Sequence, residues 1–155
     1  MKEPSGVKHF LYFLNRNYYA TSHLAERLDE LADLPLFADF KTVITAAIKL
    51  LELQLSNTDN IFALLKADNS ASDCETTINF LETTFSRIQY PENKAPYLSL
   101  LDYVSIADAI TCESSKLAEF SLAQQPHLNL PKLQLYNSRT LGPLKTLLEE
   151  TYIAI

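Results

Sequence analysis

The N-terminal part of the chain carries a stripe of residues that recur at alternating spacings of four and three, which is the period of one face of an α-helix. Most members of the stripe are apolar, but the two near its middle, Asn17 and Thr21, are polar. The members are Phe10, Leu14, Asn17, Thr21, Leu24, Leu28 and Leu31. The stripe predicts a long helix that buries this face in a bundle and carries a polar position halfway along.

The composition favours long helices in one domain. The 155 residues include only two glycines, and 47% of them are hydrophobic. So few glycines do not suit many short strands joined by tight turns. A chain of this length and apolar content can bury a core of its own. We therefore predict an all-α fold in a single domain that covers residues 1–155.

The charge and the cysteines exclude several classes of function. The formal net charge is −6, which opposes binding to the phosphate backbone of nucleic acids. The apolar run from Phe10 to Leu14 is too short to span a bilayer and has no signal-peptide cleavage site after it. Cys74 and Cys112 form no Cys-x-x-Cys motif, so we expect reduced and mostly buried thiols. These features predict a cytoplasmic protein without a membrane or nucleic-acid partner.

Five helices are predicted from the positions of the apolar stripes and the helix breakers. Ser72 and Glu75 form a capping-box pattern at the start of the third, which Pro91 ends. Gly142-Pro143 is expected to kink or restart the fifth, which follows a loop at His127 to Pro131. The predicted helices run from Val7 to Asp33, from Ala38 to Lys66, from Ser72 to Tyr90, from Pro96 to Gln125, and from Lys132 through Leu133 and Tyr136 to Thr151.

The order of these helices suits a ferritin-like antiparallel four-helix bundle in which the short third helix is an additional crossover. The fourth helix carries the stripe Tyr103, Ile106, Ile110, Glu113, Leu117 and Phe120. Glu113 is the one charged member of this stripe. We predict that it faces the bundle interior. Because a lone buried carboxylate is costly, Glu113 should pair with a polar neighbour, be protonated or face a wet pocket, with Asn17 and Thr21 as candidate hydrogen-bond partners.

Several short motifs occur in an order that is similar to one family. They are Tyr18-Tyr19-Ala20-Thr21, Phe40-Lys41, Cys74, Ile110-Thr111-Cys112-Glu113 and Leu147-Leu148-Glu149-Glu150-Thr151. In these motifs the chain resembles, over nearly its whole length, the ferritin-like helical proteins of the YciF and YciE type, which are associated with bacterial stress responses. The resemblance implies the ferritin-like fold.

The residues that a ferritin-like metal centre needs are largely missing. A carboxylate-bridged di-metal site takes a Glu from each of two helices and a Glu-x-x-His from each of the other two. Thr21 stands where the family has its first Glu, residues 45–47 are Thr-Ala-Ala, and Ser114 replaces the histidine after Glu113. We therefore predict no catalytic residue, no cofactor and no metal ligand set. Small uncharged groups at Thr21, Ala47 and Ser114 would fill the former site.

The histidines do not rebuild a metal site. His9 and His23 are about 21 Å apart along one helix, at a rise of about 1.5 Å per residue, so they cannot bind one ion. His127 lies beside Pro126 in the predicted loop and is expected to be exposed. Glu82, on the short helix, is interpreted as a boundary residue.

Three functional hypotheses remain. The preferred one is a non-catalytic bundle that acts through self-association, as a homodimer, or through a protein partner, in a stress-related role. Tyr12, Phe13 and Tyr19 would supply apolar surface to the dimer. The second is an iron- or manganese-binding oxidase or iron-handling protein with ligands not recognised here. The third is a bundle that binds a small ligand in the pocket around Glu113.

Overall fold

The computed structural model describes residues 5–90, 93–125, 128 and 140–154. These residues form five α-helices and three short 3-10 segments, and no strand occurs among them. The helices are α1 (Ser5–Ala32), α2 (Lys41–Leu64), α3 (Glu75–Ser86), α4 (Pro96–Ala123) and α5 (Gly142–Ala154). The all-α prediction is confirmed. No helix in this part of the chain combines the length and hydropathy that a membrane span requires.

The predicted ends of α1, α2 and α4 lie within a few residues of the observed ones, and the differences have local causes. A 3-10 segment, Pro35–Phe40, precedes α2, so α2 begins at Lys41 rather than Ala38. Leu34 has an extended backbone, as expected for the residue before a proline.

The predicted capping box at the third helix is wrong. A 3-10 segment, Ala71–Cys74, leads into α3, and the N-cap residue is Cys74, without a side-chain cap. The Ser72 hydroxyl instead lies 3.0 Å from the Ser70 hydroxyl.

Only the C-terminal part of the predicted fifth helix lies within the described residues. It begins at Gly142, and Pro143 occupies its first turn, where the missing N–H of a proline costs nothing. The predicted loop at His127 to Pro131, apart from Leu128, and the predicted helical residues Lys132, Leu133 and Tyr136 lie outside the described residues.

The stripe on α1 forms the centre of the core, as predicted. All seven of its members are buried, including Asn17 and Thr21. The larger apolar cluster joins the second half of α1 to α2, α3, α4 and α5. A smaller cluster closes the opposite end and contains Phe10, Leu14, Ile61, Phe62 and Ala118.

α1 packs between α2 and α4, and both run antiparallel to it. The short segment 33–40 joins the end of α1 to the start of α2. The centre of the Tyr18 ring lies 6.1 Å from that of the Phe62 ring, near the end of α2. On the other side, Arg16 pairs with Ser114 and His23 with Tyr103. α3 packs against α1 and α4, and α5 packs against α4 and α2. α2 and α4 therefore point in the same direction.

The face that α4 buries differs from the predicted one. Ile106, Ile110 and Leu117 are only half-buried, Glu113 is exposed, and Phe120 is 71% exposed. The buried face contains Leu100, Tyr103, Val104, Ala107, Asp108, Thr111, Ser114, Ser115 and Ala118. From Ala107 onward its members are small or polar. Such residues can be buried because they pack closely and their polar atoms find partners on α1 or in the helix itself.

Candidate functional site

The structure separates side chains that the sequence pattern predicts to be in contact. Asn17 and Thr21 are buried in the contact between α1 and α4, whereas Glu113 is exposed on the outside of α4. The prediction that Glu113 faces the interior is therefore wrong. Ser114, the next residue, is fully buried instead. Of residues 45–47, only Ala47 is buried, and Thr45 and Ala46 are exposed.

A layer of hydrogen bonds fills the middle of the contact between α1 and α4. The Asn17 amide donates to the carbonyl oxygen of Thr111 at 3.0 Å and to the hydroxyl of Ser115 at 2.8 Å. The Nε of Arg16 donates to the Ser114 hydroxyl at 2.7 Å, and that hydroxyl donates to the carbonyl of Ile110. Buried polar groups cost little when they are paired in this way. The layer is thus built from neutral groups with a cation at its edge.

Thr21 is the exception in this layer. Its side chain is fully buried, and its hydroxyl has no hydrogen-bond partner among the described residues. An unpaired buried hydroxyl costs free energy of folding. Thr21 is therefore a weak point in an otherwise paired contact.

A second polar network, centred on His23, joins α1, α3 and α4. The Nδ1 of His23 lies 2.7 Å from the Tyr103 hydroxyl, and its Nε2 lies 2.7 Å from a carboxylate oxygen of Glu82. Arg27 donates to the same oxygen at 3.0 Å and also pairs with Glu30. Glu82 was interpreted as a boundary residue, and it is exposed, yet it is the acceptor that holds this network together.

The charge state of this network follows from burial. Desolvation lowers the pKa of His23 below its ordinary value and outweighs the opposing effect of Glu82. Burial likewise raises the pKa of Tyr103 strongly. Burial would raise the pKa of Glu82, but the hydrogen bond from His23 and the charge of Arg27 lower it overall. At neutral pH we infer an ionised Glu82 and a neutral imidazole, with Nε2–H donating to Glu82 and Nδ1 accepting from Tyr103.

This carboxylate, imidazole and hydroxyl arrangement is the one that activates a hydroxyl nucleophile in hydrolases. Here the hydroxyl belongs to Tyr103, whose side chain has 0% exposure. A substrate has no access to a fully buried phenol. The network therefore holds three helices together rather than exposing a reactive group.

An ion pair between Asp108 and Lys145 attaches α5 to α4. The Asp108 side chain is nearly buried, and Lys145 Nζ lies 2.5 Å from one of its oxygens. The thiol of Cys112 lies 3.5 Å from the other oxygen. Neither residue of the ion pair was singled out in the sequence, because the partners are far apart along the chain.

Both cysteines are free, and Cys74 is buried as predicted, whereas Cys112 is half-buried. Burial raises the pKa of the Cys74 thiol and, together with Asp108, raises that of Cys112 to about 11. The thiolate is the reactive form of cysteine. At neutral pH neither thiol is therefore activated as a nucleophile.

The ligand-forming residues do not gather at one place. Among the residues that the structure describes, no three His, Cys, Asp or Glu side chains could hold a metal ion together. His9 is exposed near the start of α1, and His23 is engaged with Tyr103 and Glu82. His127 lies outside the described residues.

Two open cavities border α4. One, of about 360 Å³, lies between α1, α3 and α4 and is lined by Arg16, Thr77, Ala109, Ile110 and Glu113. The other, of about 270 Å³, is lined by Lys116, Glu119, Phe120 and Ala123. The exposed position of Glu113 thus makes it part of a surface cavity instead of the bundle interior.

The buried residues of α4 did have a signature in the sequence. Ala107, Thr111, Ser114 and Ala118 recur at spacings of four and three, as the stripe on α1 does. Matching the small and polar stripe of α4 to Asn17 and Thr21 would have placed Ser114 inside and Glu113 outside.

No family model, curated protein or solved structure matches the chain. The resemblance to the YciF and YciE type, and the stress-related role that it implies, therefore stay predictions that rest on the quoted motifs.

Proposed function

We propose that the protein is a non-catalytic helical bundle that acts by association, and that it pairs with a second copy along the outer face of α2. The observation that carries the proposal is a row of leucines on this face. Leu50, Leu53 and Leu64 are 49%, 56% and 58% exposed. Isolated exposed leucines are ordinary on protein surfaces, but a row on one helix face marks an interaction surface.

The spacing of this row is that of a coiled-coil seam. The positions of this row recur at alternating intervals of four and three residues and include the leucines, one alanine and two asparagines. We call this set the outer stripe of α2: Ala46, Leu50, Leu53, Asn57, Asn60 and Leu64. Such a stripe suits packing against another helix, and polar residues within a seam restrict the registers that can pair.

The charges on α2 favour a second copy in the antiparallel orientation. Both basic residues of the helix, Lys41 and Lys49, precede both of its acidic residues, Glu52 and Asp59. All four are exposed. Antiparallel pairing about a two-fold axis brings the basic N-terminal part of one helix toward the acidic C-terminal part of the other.

The aromatic residues that were expected to form the dimer surface are less available. Tyr12 is 42% exposed, but Phe13 and Tyr19 are half-buried. The Tyr12 and Phe13 rings pack edge to face on each other, and the Tyr19 hydroxyl donates to Asn69. The leucines of α2 are more exposed than any of these aromatic side chains, so α2 is the better candidate.

We further propose that the bundle is of the ferritin-like type and has exchanged a metal centre for a neutral polar layer. The directions of α1, α2 and α4 support this proposal, because a ferritin-like bundle has one long crossover that connects its two antiparallel helix pairs. Chain 65–95, which contains α3, makes that connection here. The buried Thr21 and Ser114 stand where the resemblance expects metal ligands.

The test of association is the molecular mass in solution. Sedimentation velocity of the unmodified chain is expected to give a dimer at about 50 μM, since interfaces of this kind often have micromolar affinity. Leu53→Glu buries a charge in the paired stripe and is expected to give a monomer with an unchanged helical circular dichroism spectrum.

The control is Leu98→Glu, which changes another exposed leucine, on α4, and should leave the dimer intact. A monomeric unmodified chain at this concentration, or an equal effect of the two substitutions, would reject the α2 interface.

A further inference from the structure

The cavity of about 360 Å³ between α1, α3 and α4 takes no part in the association proposed above. Its lining holds one cation, Arg16, one anion, Glu113, and one hydroxyl, Thr77, beside the apolar Ala109 and Ile110. Its volume lies within the range of small-molecule sites. We propose that this cavity binds a small zwitterion, a molecule with a carboxylate and an ammonium group on a short aliphatic stem.

Arg16 is oriented in advance for a carboxylate. Its Nε donates to the fully buried Ser114 hydroxyl at 2.7 Å, and the centre of its guanidinium group lies 5.3 Å from the Phe13 ring and 5.9 Å from the Tyr12 ring. Among the described residues, no carboxylate lies within 4.0 Å of its nitrogen atoms. A guanidinium group held in this way is suited to a carboxylate ligand, because its planar fork matches the two oxygens.

Glu113 supplies the opposite charge in the same cavity. It does not form an ion pair with Arg16, although both side chains line one space. A ligand that carries only a negative charge is attracted by Arg16 but repelled by Glu113. A ligand that carries only a positive charge is attracted by Glu113 but repelled by Arg16. A ligand that carries both charges satisfies both residues. The pair therefore selects zwitterions over singly charged molecules of the same size.

The remaining lining residues fit the uncharged part of such a ligand. Ile110 is half-buried and, with Ala109, offers apolar surface one helical turn from Glu113. Thr77, on α3, adds a hydroxyl that can donate or accept a hydrogen bond. A stem of a few methylene groups can pack against Ala109 and Ile110 in this space.

The experiment is a calorimetric titration with four probes that share a five-carbon stem: 5-aminopentanoate, norvaline, pentanoate and pentylamine. At least one of the two zwitterions is expected to bind about tenfold more tightly than either singly charged probe. The absence of saturable binding of both zwitterions up to about 20 mM, or equal affinity for all four probes, would overturn the proposal.

Variants at the charged residues test the selection directly. Glu113→Gln should weaken zwitterion binding about tenfold and strengthen pentanoate binding, because the repulsion of the anion is removed. Arg16→Lys should weaken the binding of the zwitterion and of pentanoate. Glu119→Gln, which removes a carboxylate from the other cavity on the same helix, is the control and should change neither.

Glu113 is exposed, so Glu113→Gln keeps the fold and gives a decisive result even if substitution of Arg16 disturbs Ser114. Unchanged affinities for norvaline, 5-aminopentanoate and pentanoate in Glu113→Gln would show that this cavity does not select ligands by charge.

Discussion

At the residue scale, the two polar members of the α1 stripe have opposite outcomes. Asn17 and Thr21 lie one turn apart on the same buried face. Asn17 donates two hydrogen bonds across to α4, whereas the Thr21 hydroxyl finds no partner among the described residues. The same burial therefore stabilises the contact at one position and weakens it at the next, since the value of a buried polar group depends on its partner.

Thr21→Val is expected to raise the free energy of unfolding by about 1 kcal/mol, because it replaces an unpaired hydroxyl by a methyl group of similar size. Urea denaturation followed by circular dichroism measures the change. The control is Thr58→Val on α2, where the buried hydroxyl donates to the Gln54 carbonyl at 2.9 Å. Thr58→Val should not be stabilising, and a loss of stability in Thr21→Val would mean that its hydroxyl is paired.

At the scale of a single element, α4 shows how side-chain size determines which face is buried. From Ala107 onward its larger apolar residues, Ile110 and Leu117, are only half-buried, and the buried face is made of small residues such as Ala107, Ser114 and Ala118. Two long helices in contact need small residues where their backbones approach, so close packing takes precedence over the hydrophobicity of individual residues. The adjacent residues Glu113 and Ser114 thus lie on the exposed and the buried side of α4.

Ser114→Leu and Glu113→Leu form a matched test of this orientation, with the same new side chain at adjacent positions. Ser114→Leu should lower the free energy of unfolding by about 3 kcal/mol, because it overpacks the contact with α1 and removes the partner of Arg16. Glu113→Leu should change it by less than about 0.5 kcal/mol, as is usual on a surface. Chemical denaturation of both variants measures the difference. The opposite ranking would mean that Glu113 faces the core.

At the scale of the whole molecule, the His23 network couples three helices to the protonation state of one side chain. His23 belongs to α1, Glu82 to α3 and Tyr103 to α4. The pKa of His23 is lowered from 6.5 chiefly by burial, so the unfolded chain binds this proton more readily than the folded one. The pKa of Glu82 is also lowered from 4.5, so at lower pH the unfolded chain binds this proton too more readily than the folded one. Protonation at either residue favours unfolding.

The free energy of unfolding is therefore expected to be at its full value above the ordinary histidine pKa of 6.5 and to decrease as the pH falls below it. A further decrease should follow below 4.5, where Glu82 in the unfolded chain takes up its proton. Urea denaturation at a series of pH values measures both parts. His23→Gln should flatten the curve between about pH 7 and about pH 5, whereas His9→Gln, at an exposed position on the same helix, should not. A flat curve for the unmodified chain would contradict this account.

The sequence alone determined the helices and much of the core. The stripe on α1 predicted seven buried residues, and all seven are buried. Helical periodicity is a local property, because each turn places the same residues on the same side whatever the helix later packs against. The glycine content and the prolines at 35 and 96 then limited where helices could begin and end.

Only the tertiary structure decided which groups meet at the polar positions. α4 is rotated about its own axis relative to the predicted orientation, so Glu113 lines a surface cavity instead of the interior. In this orientation Ser114 and Ser115 contact Arg16 and Asn17. The partners of His23 and Asp108 lie on other helices, far away along the chain. Such pairs depend on how whole helices pack, which the period of any one helix does not contain. The physical reason is that a stripe determines which residues share one face of their own helix, whereas a site depends on how several helices are rotated relative to one another.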